Sequence, residues 1–188
     1  MVENLKYLLN HLIDFDEHQL DKITTYFKPK IVKRNTILLS EGEVCKEFYY
    51  VHVGCIRTYF LNNKGYEKTR LIMLDCSIGT ALTSFITQKP SFEFVETLED
   101  TEFLAIDHHD FYELNREIIQ WKEFYQKILE MAYSFQNKKI ENLVTLSAKQ
   151  RYEQLLSESP IFIQRLSNKV LASYLDVTQE TLSRLKSK

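Results

Sequence analysis

The stretch LSNKVLASYLDVTQETLSRLKSK, Leu166 to Lys188, decides the reading of this chain. Val170, Leu171, Leu175 and Val177 fall where two short helices can share one small core. Asp176 stands where the chain must turn, and Asp tolerates left-handed backbone better than most non-glycine residues. Thr178 can cap a second helix, its hydroxyl meeting a free backbone N–H. That helix would hold Leu182 and Leu185 inward and Gln179, Glu180, Ser183, Arg184 and Lys186 outward. Two readings fit this pattern. One is a helical hairpin that packs on the rest of the protein. The other is a helix-turn-helix whose polar face enters a DNA major groove.

Read together, Ala172-Ser173-Tyr174-Leu175, Val177-Thr178 and Glu180-Thr181-Leu182-Ser183-Arg184 closely resemble the DNA-reading segment of the Crp/Fnr family of bacterial transcription regulators. The resemblance implies an α+β fold in a set order. An N-terminal cyclic-nucleotide-binding-type β-roll (a double-stranded jelly roll with flanking helices) comes first. A long dimerisation helix follows, then a C-terminal winged helix-turn-helix. It also implies double-stranded DNA as partner, in a palindromic operator read by a homodimer, with RNA polymerase as a further candidate. Thr178, Gln179, Glu180, Ser183 and Arg184 would meet the groove, with Arg184 on guanine and Glu180 on cytosine, and Lys169 and Lys186 would add basic contacts. The sequence ends at Lys188, so the wing is expected to be short or absent.

The rest of the chain follows that order. Leu5, Leu8, Leu9, Leu12, Phe15, Leu20, Ile23 and Phe27 have helical spacing, with Asp14 or Asp16 able to cap a second helix and Pro29 ending it. From Ile31 to Ile106 the period shortens. β-rich runs cover 30–33, 36–39, 47–53, 55–61, 67–74, 93–98 and 101–106, separated by turn residues such as Gly42, Gly54 and Gly65. Leu39-Ser40-Glu41-Gly42-Glu43 and the run from Tyr49 through Gly54 to Arg57 are similar to turns and strands of the same family. His109 to Leu146 reads as one long helix. Ile118, Trp121, Tyr125, Ile128, Ala132, Phe135, Lys139, Asn142 and Leu146 step alternately by three and four, and most are apolar. This is a heptad seam, expected to pair with a second copy. Ser147 can cap the next helix. The expected domains are 1–146, the effector unit with its dimerisation helix at about 109–146, and 147–188, the DNA-binding unit.

The net charge of −2 is unevenly spread. From Asn137 onward nine Lys/Arg face five Asp/Glu; before it fifteen face twenty-one. A basic end on an acidic body suits phosphate binding. Cys45, Cys55 and Cys76 have no metal-knuckle spacing and are expected as small hydrophobes. His11, His18, His52, His108 and His109 form no ligand cluster, so no metal site is expected. No apolar run reaches membrane-spanning length, and the N-terminus has no signal-peptide character, so a cytoplasmic location without membrane contact is expected.

In cyclic-AMP-binding members of the resembled family, a Gly-Glu pair and a later Arg-Ser or Arg-Thr hold the ribose and the phosphate. Here Gly79-Thr80-Ala81 and Ser91-Phe92 occupy those places, so neither the glutamate nor the arginine is present. Cyclic AMP is therefore not expected as cofactor or ligand. Gly79, Thr80, Ala81, Ser91 and Phe92 are the candidate lining of a cavity that takes another small molecule or is filled by its own side chains. The expected function is a transcription regulator and not an enzyme. The alternatives are a ligand-binding β-roll without DNA activity and a cupin-like metalloenzyme.

Overall fold

The structure is a computed structural model that describes residues 1–187; Lys188, counted above in the basic tail, lies outside the described residues. Two N-terminal helices, α1 (Val2–Leu12) and α2 (Glu17–Thr25), bury Leu5, Leu9, Leu20 and Ile23 against the main core. Asp16, not Asp14, caps α2: its carboxylate accepts from the Gln19 N–H at 2.8 Å, and Gln19 returns the contact to the Asp16 N–H.

Eight strands follow: β1 (Lys28–Val32), β2 (Ile37–Leu39), β3 (Glu47–Val53), β4 (Ile56–Leu61), β5 (Glu67–Met73), β6 (Ser77–Gly79), β7 (Phe94–Thr97) and β8 (Thr101–Asp107). They form two four-stranded sheets, ordered β1-β8-β3-β6 and β2-β7-β4-β5, with every pair antiparallel. Phe48, Tyr50, Ile56, Val95, Leu104 and Ile106 are buried in the roll. At the turn between β3 and β4, Gly54 has φ +115°, and a Cβ there would come within 2.5 Å of the Thr101 hydroxyl. Only glycine meets both demands. A short helix, α3 (Leu82–Thr87), connects β6 to β7. The fold is the expected α+β β-roll with flanking helices.

The expected single helix from His109 is two. α4 (His108–Glu117) and α5 (Ile119–Thr145) are separated at Ile118, whose backbone is extended at φ −120° and ψ 113°. This break lets Trp121 turn back, and its Nε1 donates to the Phe111 carbonyl at 3.0 Å. Trp121 is fully buried, Ile118 and Ile128 are buried beside it, and the Tyr125 hydroxyl lies 2.9 Å from that of Tyr112. These four residues of the expected dimer seam therefore belong to the protomer's own core. Ala132 and Phe135 border a cavity between α5 and the roll. The free apolar surface of α5 lies one residue over. Leu129, Tyr133, Gln136, Ile140 and Leu143 again step by four and three, with Tyr133 71% and Ile140 58% exposed.

Four helices complete the chain: α6 (Ala148–Glu158), α7 (Pro160–Arg165), α8 (Asn168–Leu175) and α9 (Gln179–Lys186). Ser147 caps α6 in a box with Gln150. Pro160 opens α7 at its first position, where a missing N–H costs nothing. Leu155, Leu166, Val170, Leu171, Leu175 and Leu182 gather in one apolar cluster that also takes in Cys55 and Ile72 of the roll. The C-terminal helices and the roll therefore share buried surface. Cys45 and Cys55 are buried thiols, whereas Cys76 is exposed on a turn with φ 58°.

Candidate nucleic-acid interface and sensor cavity

The α8–α9 pair is built by its turn. Asp176 adopts φ 55° and ψ 48°, and the Val177 N–H then reaches the Ala172 carbonyl at 3.0 Å. Thr178 Oγ1 accepts from the Thr181 N–H at 3.1 Å and so caps α9. Leu182 faces the core and is fully buried. Gln179, Glu180, Ser183, Arg184 and Lys186 are all exposed. The Lys186 ammonium donates to Asn168 Oδ1 at 2.6 Å, which steadies the start of α8 and puts a cation at the carbonyl end of α9. Lys169, expected as a further basic contact, stands near the start of α8. It pairs with Glu67 of β5, with its side chain still 61% exposed.

A row of polar contacts ties these helices to the roll. The Ser173 hydroxyl accepts from the Thr69 N–H at 2.8 Å and donates to the Glu67 carbonyl at 2.9 Å. Lys68 pairs with Asp176. Arg165 binds Glu99 at 2.6 Å, Asp75, and the Gly54 carbonyl at 3.0 Å. The hydrogen bonds it donates to Glu99 and Asp75 push the Arg165 pKa further up. Burial alone would raise the Asp75 carboxyl, but hydrogen bonds from Arg165 and the Gly54 N–H outweigh it and hold it below its ordinary value. Lys139 of α5 donates to the Thr69 and Arg70 carbonyls at 2.7 and 3.0 Å, and its ammonium sits 4.2 Å from the Tyr174 ring centre. Burial, with the Arg70 charge nearby, brings its pKa down to about 8.

Between the roll and α5 lies a cavity of about 220 Å³. Of the expected lining, Gly79 and Thr80 border it. Gly79 fits because a Cβ would press on Met73 Sδ at 2.6 Å. The Thr80 hydroxyl donates to the Glu47 carbonyl at 2.6 Å and contacts Cys45 Sγ at 3.0 Å, so it is spent inside the protein. Ala81 is buried at the start of α3. Ser91 is occupied by the Glu93 backbone, accepting from its N–H and donating to its carbonyl, both at 3.0 Å. Phe92 is half exposed, meets Phe60 edge-on and borders a separate cleft against α5 and α8. Neither Ser91 nor Phe92 lines the roll cavity. Sequence reasoning missed Arg70, which borders both spaces and pairs with Glu93 at 2.5 Å. Its signal was a lone guanidinium in a strand of the roll. Burial pushes the Glu93 carboxyl up, against the pull of Arg70.

Residues 29–117 match the cyclic nucleotide-binding domain family. That span contains all eight strands except the first residue of β1, together with α3 and α4. Solved structures extend the likeness through the C-terminal helices. FixK2 from Bradyrhizobium japonicum superimposes with a TM-score of 0.75 at 16% identity, over 86% of this chain and 83% of that one. A protein from Eubacterium rectale, described as a transcriptional regulator of the Crp/Fnr family, gives 0.72 at 22% identity, over 92% and 82%. The catabolite activator protein of Thermus thermophilus gives 0.63 at 19% identity, over 96% and 85%. At these identities the likeness is one of fold. No curated protein matches the sequence. Among the described residues, no three His, Cys, Asp or Glu side chains group as metal ligands, and no helix is long and apolar enough to cross a membrane.

Proposed function

We propose that this chain is a homodimeric, sequence-specific DNA-binding transcription regulator of the Crp/Fnr type, whose cyclic nucleotide-binding-type domain responds to a ligand other than cyclic AMP. The observation that carries this reading is α9. It is a capped two-turn helix with Leu182 locked inward and Gln179, Glu180, Ser183 and Arg184 exposed. Arg184 offers the forked donors that suit guanine O6 and N7, and Glu180 the acceptor that suits cytosine N4. α8 and α9 act as the helix-turn-helix, with α9 as its recognition helix. The ordered likeness to regulators of this fold supports the assignment. No catalytic step is assigned to any residue.

Dimerisation runs along the stripe Leu129, Tyr133, Gln136, Ile140 and Leu143. Its spacing is that of a coiled-coil seam, and Tyr133, Ile140 and Leu143 are otherwise exposed. Two α9 helices related by a two-fold axis then address a palindromic operator, with RNA polymerase as the partner that reads the outcome. Cyclic AMP is refused because the places of its acid and its guanidinium hold hydroxyls already used internally. A buried phosphate deprived of its cation loses about 3–5 kcal/mol. The test is selection of binding sites from random duplex DNA. The expected result is a two-fold symmetric motif with half-sites about one helical turn, ~34 Å, apart. A pool that returns no motif would favour a ligand-binding β-roll without DNA activity.

A further inference from the structure

We infer that the roll cavity is a receptor for a small carboxylic acid with an apolar tail, and that Arg70 is its anchor. This rests on the reading above that the roll is a sensor without a cyclic nucleotide. It begins with the register of β4 and β5. Thr58 lies opposite Leu71 and Tyr59 opposite Thr69, which leaves Arg70 with no residue across from it. Such a bulge re-aims a side chain that a regular strand would send elsewhere. Here Arg70, its side chain 22% exposed, is among the residues that line the cavity.

That guanidinium is half used. Among the described residues its partner is Glu93, through Nη1 alone, which engages one of its five N–H donors. Arg57, on the adjacent strand, shows what a filled fork looks like in this same sheet. Its Nε donates to Glu96 at 2.7 Å, its Nη2 to Glu67 at 2.6 Å and its Nη1 to Thr69 at 3.2 Å. Arg57 thus carries two carboxylates, and Arg70, which borders the cavity, carries one. A second carboxylate, supplied by a ligand, completes the set in the bidentate geometry that guanidinium favours. The rest of the wall dictates the tail. Phe48, Leu71, Ile78, Leu82, Met131 and Phe135 are apolar. The 220 Å³ they help enclose equals roughly seven waters at ~30 Å³ each, enough for a short chain or a single ring.

The head of such a ligand sits at a mechanical junction. Arg70 also borders the cleft between the roll, α5 and α8. The Arg70 carbonyl is held by Lys139, and the neighbouring Thr69 is held by Ser173 of α8. A pull on this strand segment therefore reaches the DNA-reading unit through one residue.

Titration calorimetry on the full-length protein tests this with butanoate, hexanoate, octanoate and phenylacetate, and with hexanamide and phenylacetamide as uncharged counterparts. The alkyl and aryl arms distinguish a chain from a ring. Affinity should rise roughly fourfold per added methylene until the cavity is full, the increment that burial of one CH₂ gives. Each amide should bind at least tenfold more weakly than its acid. The double substitution Arg70→Gln/Glu93→Gln, which leaves no buried charge unpaired, should erase the acid-over-amide preference. Acid and amide binding equally, or no acid giving a saturable heat, overturns the proposal, and both comparisons use the wild-type protein. Cyclic AMP in the same calorimeter is scored separately. A micromolar site would overturn the reading of the roll as closed to cyclic nucleotides, whatever the acids do.

Discussion

Asp176 and Thr178 show how much one residue can settle. Asp176 carries a left-handed backbone without glycine, and Thr178 gives α9 its first hydrogen bond. Thr178→Ala should cost about 1 kcal/mol, the usual penalty for losing a hydroxyl cap. Hydrogen exchange of the Thr181 amide measures it directly, and unchanged protection would contradict the assigned cap. Both roles were legible in the sequence, because local chemistry dictates them. Thr80 and Ser91 were legible only in part. Their identity told that the acid and the guanidinium of a cyclic-nucleotide site are missing. Only the structure shows their hydroxyls committed to the Glu47 carbonyl and the Glu93 backbone.

Among the elements, α5 is the instructive case. Periodicity located a long helix and a four-three pattern, but Ile118, Trp121, Tyr125 and Ile128 of the expected stripe pack in the protomer's own core. Spacing cannot say which stripe meets the helix's own domain, since both are apolar and only one residue apart. The break at Ile118 rotates Trp121 and Ile128 into the core and leaves Tyr133 and Ile140 outside. The two faces therefore predict different failures. Ile140→Asp should convert the dimer to a folded monomer in analytical ultracentrifugation. Ile128→Asp should instead lower folding stability by several kcal/mol, the cost of an unpaired buried charge. A wild type monomeric at micromolar concentration, or a dimer indifferent to Ile140→Asp, would refute the seam. The longer strands were legible as β-rich runs bounded by turn residues, although β3, β4 and β8 are buried on both faces and do not alternate. The three-residue β6 and six-residue α3 are too short to show a period. The bulge at Arg70 leaves no mark in the sequence, because it depends on the register of the partner strand.

At the scale of the molecule, the C-terminal helices are clamped to the roll by Arg165, Ser173, Lys68 and Lys139 over the shared cluster around Cys55 and Ile72. The Asp75 carboxyl is held below its ordinary value of 3.8 in the folded protein. Its contribution is therefore complete above that value and is lost as pH falls through the lower, folded one. Small-angle scattering should show a compact particle at neutral pH that expands only below about pH 4. Arg165→Ala should already be expanded at pH 7. An unchanged profile in that variant would remove the clamp from the account. The clamp leaves the outer face of α9 exposed, and on that face the functional reading stands or falls. The most direct measurement is a fluorescence-anisotropy titration of the selected duplex and a scrambled one, with wild type and Arg184→Ala. The predicted result is a loss of about 1–3 kcal/mol per half-site on the selected duplex, and little change on the scrambled one. Equal affinity of the two proteins for the selected duplex would mean that α9 does not read the groove.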